Sequence, residues 1–364
     1  MKLVAILLLS ACFVASPGFA DDVHEHATIQ PEQLGTVHFP VSCAASAQKP
    51  FERGVALLHS FWYEEAEKQF EQITVADPQC AMAHWGVAMS LWHQLWDSPD
   101  AQTIARGQAE VRKGDSLHPP TAREKQYLAA IGAFYEGKNR TKQSRAEAYT
   151  AQMAALYKQF PDDKEAGAFY GLALLASEPE DAQNLEHREQ AAAVLEPIFA
   201  AEPQHPGVAH YLIHAYDSPQ MAQQGLSAAK RYSQIAPASP HAVHMPSHIY
   251  ARLGLWQEDI EANSKSVTIT RETAARGMGG EAHQFHALDF IVYAYLQSGR
   301  DADARKLIEE VKSMPSMKPM YGMDIDPHLS AEARYPAFYD IELRHWSDAA
   351  ALAPIPGARS ANAR

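Results

Sequence analysis

"RGVALLHSFWYEEAEKQFEQITVADP", residues 53–78, decides the fold. Its apolar residues recur at three- and four-residue intervals on both sides of "SFW", and the stretch closes on "ADP", a turn signal. Gly54, Ala66, Phe70 and Pro78 fall at relative positions 0, 12, 16 and 24. A two-helix unit packs tightly only where a small side chain marks the helix crossing. Such a unit keeps an apolar face that the next unit must cover.

The pattern continues along the chain. Stretches of helical periodicity alternate with breaks such as "FPDD" (160–163), "AEPQHPG" (201–207), "YDSPQ" (216–220) and "APASP" (236–240). Almost nothing alternates with period two, so an all-α fold is expected. "IVYAYLQSGRDADARKLIEEV" (291–311) repeats the first spacing through Val292, Ala304 and Ile308. On these stretches, with "ADPQCAMAHWGVAMSLW", "HYLIHAYDSP" and "HMPSHIYARLGLW", the chain resembles secreted bacterial tetratricopeptide-repeat (TPR) proteins over residues 40–350. The resemblance implies a right-handed α-solenoid of tetratricopeptide-like helix pairs, about seven to eight of them over 41–353. It also implies a concave groove that binds a peptide or protein partner. It implies no reaction.

Length and charge narrow the function. The chain has 364 residues, 46% of them hydrophobic, and a formal charge of −13, which disfavours a nucleic-acid partner. Lys2, "LVAILLLSACFVA" and "SPGFA" read as an export signal over 1–20, cleaved after Ala20. The competing reading acylates Cys12 as a lipid anchor. Either way a periplasmic or secreted protein is expected, with no later apolar run long enough to span a bilayer. Residues 21–40 read as a polar lead-in and 354–364 as a loose tail. Cys43 and Cys80 then remain in an oxidising compartment, where a disulfide between them is expected.

Histidine stands out: there are 18, and eight fall between His205 and His286. His210 and His214 are four apart, as are His244 and His248, with Asp217 three beyond His214. Those spacings place each set on one helical face, where paired imidazoles can ligate Zn or Cu. His283 and His286 on the next inner helix are candidates to complete the shell. Pro246 is expected to kink the helix that carries His244 and His248. His205 and His241, each beside a proline, read as loop residues. The alternative for all of them is a row of histidines on the wall of the groove, joined there by His84, Trp85, Tyr211 and Tyr250. Trp85, Trp92 and Trp96 share a helical stripe that reads first as core and second as an aromatic wall.

Met314, Met317, Met320 and Met323 recur every three residues, a spacing open to Cu(I) or to irregular packing. No glycine-rich phosphate loop, nucleophile elbow or His-Glu-x-x-His run occurs. No catalytic residue can therefore be named. Two functions follow: a groove-binding scaffold for a peptide or protein, or a Zn or Cu metalloprotein.

Overall fold

The first hairpin forms as its periodicity requires. Helix α1 (Gln48–His59) packs on α2 (Tyr63–Ala76), and the Phe70 ring lies against the backbone of Gly54. A Cβ on Gly54 would stand 2.7 Å from that ring, and one on Gly86 2.3 Å from its other side. The glycines let one aromatic ring weld two units together. Glu64 and Glu65 in the first turn of α2 oppose the positive end of its dipole.

The computed structural model describes residues 32–95, 98–179, 184–317 and 326–353. Further antiparallel pairs follow: α3 (Ala81–Ser90) with α4 (Ala101–Ser116), α5 (Ala122–Tyr135) with α6 (Lys142–Gln159), and α7 (Lys164–Ala176) with α8 (Glu186–Ala201). Next come α9 (Pro206–Tyr216) with α10 (Ala222–Ile235), and a broken helix, α11 (Pro240–His244) and α12 (Pro246–Leu253), with α13 (Trp256–Ala275). The last pairs are α14 (His283–Gln297) with α15 (Asp301–Lys312), and α16 (Pro327–Glu342) with α17 (Trp346–Ala351). No strand occurs among the described residues, and no helix there is long and apolar enough to cross a membrane. The chain is an all-α array of stacked helix pairs. The expected signal over 1–20, with Cys12, and Trp96, Asp97, Met320, Met323 and the expected tail lie outside the described residues.

The first helices of the pairs line one side, with α3 against α1 and α5, and α9 against α7. The array also closes on itself, because α1 touches α9. Gly207 permits this approach: a Cβ there would meet His59 Nδ1 at 2.2 Å. The lead-in takes part as well. Thr36 N–H donates to Gln204 O at 2.9 Å, and Ala238 N–H donates to Gln33 O at 3.3 Å. Leu34, Val37 and Phe39 are buried, so this part of the expected polar lead-in is core. Phe39 packs on Phe51, Trp85 and Tyr127. Apolar side chains of the lead-in therefore fill the space between α1, α3 and α5, where an open groove was expected.

Cys43 and Cys80 are bonded to each other, tying the segment before α1 to the start of α3. Caps fall where hydrogen bonding demands: Asp100, Thr121, Thr141 and Asp163 each accept an N–H of the first turn that follows them. Asp217 caps the start of no helix, although Ser218 and Pro219 follow it. Helix α10 starts five residues later, at Ala222, and the Asp217 carboxylate is used elsewhere.

Candidate metal centre

His210 and His214 stand one turn apart on α9, and both present Nε2 to the same point, 3.1 Å from each other. The third member is His241, whose Nε2 lies 3.1 Å from that of His210. His241 is not a loop residue. Pro240 takes the first position of α11 and Ser239 caps it, so His241 sits in the first turn and is buried.

The second set is His244, His248 and His286. Pro246 does more than kink the helix. Lacking an N–H, it starts α12 after the single residue Met245, so His244 ends one helix and His248 begins the next. Met245 keeps right-handed helical geometry, and the two imidazoles still meet, Nε2 to Nε2, at 3.0 Å. His286 comes from α14 and is the exposed member. In each set the three ligand atoms lie within 4.8 Å of one another.

Proton placement follows from the outer partners, since a neutral imidazole has one N–H. His210 Nδ1 faces the carbonyl of His59 at 2.6 Å and must be the protonated nitrogen. His248 Nδ1 faces the Asp217 carboxylate at 2.9 Å. The Arg252 guanidinium also bonds Asp217, and these partners outweigh burial and keep it ionised. His244 Nδ1 faces Asn263 Oδ1 at 2.6 Å. The Asn263 amide cannot be reversed, because its Nδ2 donates to the carbonyl and the carboxyl of Asp259. His210 and His244 therefore present an Nε2 lone pair inward, and His248 in its neutral form does the same. For His244 and His248, two lone pairs point at each other across 3.0 Å. Two ligands held about 2.0–2.1 Å from one tetrahedral ion stand about 3.3 Å apart, close to the separations found here.

Burial pushes the His210 imidazole down to about 3, and it holds His214, His241 and His244 well below the ordinary histidine range, with neighbouring imidazoles adding to the effect. These rings are neutral at neutral pH. That is the ligating form.

Each set has an aromatic neighbour. Phe61 lies nearly parallel to His214 and His241 and edge-on to His210, with centroids 4.3–5.7 Å away. It does so from a left-handed backbone, φ +53°, at the C-terminal cap of α1 where glycine is usual. An aromatic residue in that conformation costs on the order of 1 kcal/mol, and such strain collects at functional sites. Phe290 packs on His244, His248 and His286 at 4.9–5.3 Å.

The other expected site residues separate. Asp217 buttresses His248 rather than joining the ligand set. His283 lies beside His241, with ring centroids 5.9 Å apart, but in neither set. His84 turns to α4 and bonds Glu110 at 2.7 Å. Trp85 is wholly buried among Phe39, Phe51, Phe70, Tyr127 and Phe169, the core reading of its stripe. Tyr211 is wholly buried too, its hydroxyl 2.8 Å from His59 Nδ1. Tyr250 is half-buried at the edge of the core. Neither Trp85 nor Tyr211 can line a groove: Phe39 and the rings of α1, α2, α5 and α7 cover Trp85, and the closure of α1 onto α9 covers Tyr211.

A third cluster holds that closure. Glu165 on α7 accepts from His59 Nε2 at 2.8 Å and from His205 Nε2 at 3.1 Å. His205 Nδ1 accepts from Val208 N–H, and His59 Nδ1 accepts from the Tyr211 hydroxyl. Every polar atom in the ring of contacts has its complement, which makes this a structural lock. No sequence signal marks it beyond His205 preceding Pro206 as an N-cap.

No protein-family model matches the chain, and no curated protein matches it in sequence. Among solved structures it is similar to the human IFIT1 dimer with m7Gppp-AAAA, at 14% identity over 84% of this chain and 67% of that one, TM-score 0.47. It is also similar to the TPR domain of P58(IPK), at 14% identity over 84% and 90%, TM-score 0.21. Both are helical-repeat proteins. Likeness at this level carries nothing about function.

Proposed function

We propose that this chain is a metalloprotein that holds first-row transition metal ions, copper or zinc, on its two three-imidazole sets. One observation carries the reading: His244 and His248 spend their N–H groups on Asn263 and Asp217 and turn lone pairs on each other at 3.0 Å. Two lone pairs at that distance repel unless a cation draws both. His210, His214 and His241 form a second three-nitrogen set beside them, with the His210 proton held by the His59 carbonyl. The carbonyl of His59, the Asn263–Asp259 pair and the Asp217 carboxylate orient the rings, as outer partners do around ligating histidines.

The test is the metal content of protein purified without chelators or a histidine tag. Wild type is expected to hold two ions per chain, and His210→Ala and His244→Ala one each. Metal-free wild type that takes up no Zn or Cu on titration would overturn the reading.

A second reading, a platform for a peptide or protein partner, draws on the far end of the array. There Ile341 and Trp346 are exposed, 51% and 62%. Crosslinking with wild type and Trp346→Ala tests it: a partner lost from the variant supports the reading, and no crosslinked species in either removes it.

A further inference from the structure

Resting on the metalloprotein reading, we infer that the two ions are copper, that they form one coupled pair, and that in the cuprous state they bind dioxygen between them.

The spacing comes first. Within the sets, ring centroids lie 4.5–6.5 Å apart. Across them, His214 lies 6.0 Å from His248 and His241 lies 5.9 Å from His244. The two sets are therefore one continuous body of imidazoles, and ions held by them belong with two-metal sites, whose ions stand about 3.5–4 Å apart.

Charge and donor type select the metal. Both sets offer neutral nitrogen only, without a thiolate or carboxylate member. The adjacent acid, Asp217, is already matched by Arg252. Two divalent ions would bring four positive charges among Phe61, Phe290 and neutral rings. The desolvation cost of an ion rises with the square of its charge, so a monovalent ion incurs about a quarter of it. Three imidazoles complete a trigonal shell for Cu(I), whereas Zn²⁺ takes a fourth ligand.

Aromatic rings then bound the site: Phe61 covers the faces of His214 and His241, and Phe290 flanks the second set. Entry is from the side of His286, the exposed ligand, past the half-buried His248 and His214. Each cuprous ion gives up one electron. Dioxygen gains two, and its double bond becomes the single bond of a peroxide bridging two cupric ions. No proton moves and no other reductant is needed.

The experiment loads the full chain with Cu(I) under argon, counts copper and zinc, then admits air and records paramagnetic resonance and near-ultraviolet absorption. Two coppers per chain, a new near-ultraviolet band and no resonance signal are expected, because paired cupric spins cancel. His286→Ala, a change at an exposed position, is expected to lose the band and show an ordinary isolated Cu(II) signal. Two coppers with the full signal of uncoupled Cu(II) would overturn the pair. Equimolar Zn²⁺ displacing Cu(I) would overturn the choice of metal. Either result leaves the metalloprotein reading standing, whereas failure to hold any metal removes both.

Discussion

The backbone carbonyl of His59 accepts a hydrogen bond from His210 Nδ1–H at 2.6 Å, joining residues 151 positions apart. The His59 side chain meanwhile bonds Glu165 and Tyr211. One residue thus fixes both the closure of the array and the direction of a candidate ligand.

Those roles are separable. His59→Ala keeps the carbonyl but leaves the buried Glu165 carboxylate with one histidine instead of two. A loss of about 1–3 kcal/mol is expected, as for a buried acceptor left without one of its hydrogen-bond donors, read as a shift in the urea midpoint. Glu165→Gln with His59→Ala should recover part of it. No recovery would mean that packing against Phe169, rather than charge, holds this place.

Asp217→Ala frees the His248 ring without removing a ligand. Metal affinity is expected to fall about 10–100-fold, measured by competition with a chelator of known strength. Unchanged affinity would show that Asp217 serves only Arg252.

Stability should also respond to Asp259. Burial pushes its pKa up from 3.8 to about 7, so the folded chain keeps a proton that the unfolded chain releases first. The group therefore subtracts stability as pH climbs from about 4 to 7 and adds no further loss above that. Asp259→Asn should remove this slope and gain about 2–4 kcal/mol at pH 8, with little change at pH 4. Urea titrations of both proteins at the two values decide it; equal differences at both would contradict the sign.

Gly86→Ala places a methyl 2.3 Å from the Phe70 ring. The ring is wedged between two helices, so a loss of about 1–3 kcal/mol is expected in thermal unfolding. Gly132→Ala, whose methyl would stand 3.2 Å from Val111, should cost clearly less.

Reduction of the Cys43–Cys80 bond opens a loop spanning 37 positions. Stability should fall by about 3–4 kcal/mol on the chain-entropy account. Cys43→Ser/Cys80→Ser under non-reducing conditions should match the reduced wild type, and a mismatch would point to strain introduced by serine.

Helix pairs were legible because burying one face of a helix imposes a period that any window of the chain displays. The paired histidines were legible for the same reason: a spacing of four is a statement about one face. His241 was not, because a proline next door reads equally as a loop or as the first turn of a helix, and only the position of Ser239 and Ala242 resolves it. His59, Phe61 and Glu165 carry no local pattern. Their roles arise where α1 meets α7 and α9, a meeting written in no window shorter than 150 residues. Trp85 shows the reverse case, in which the stripe marked core, and Phe39 from the lead-in and Phe169 from α7 leave no wall for a ligand.

That closure changes how the molecule can come apart. An open repeat array is held by nearest neighbours and can shed terminal units one at a time. Here the first pair is bound to the fifth, and the segment around Gly35 runs past Gln204. Truncation behind residue 200 should therefore remove one of the seats of α1, and the nascent chain cannot close the array before α9 has emerged. The imidazole body is consequently a late product of synthesis, completed only once both ends of a long stretch of chain have met.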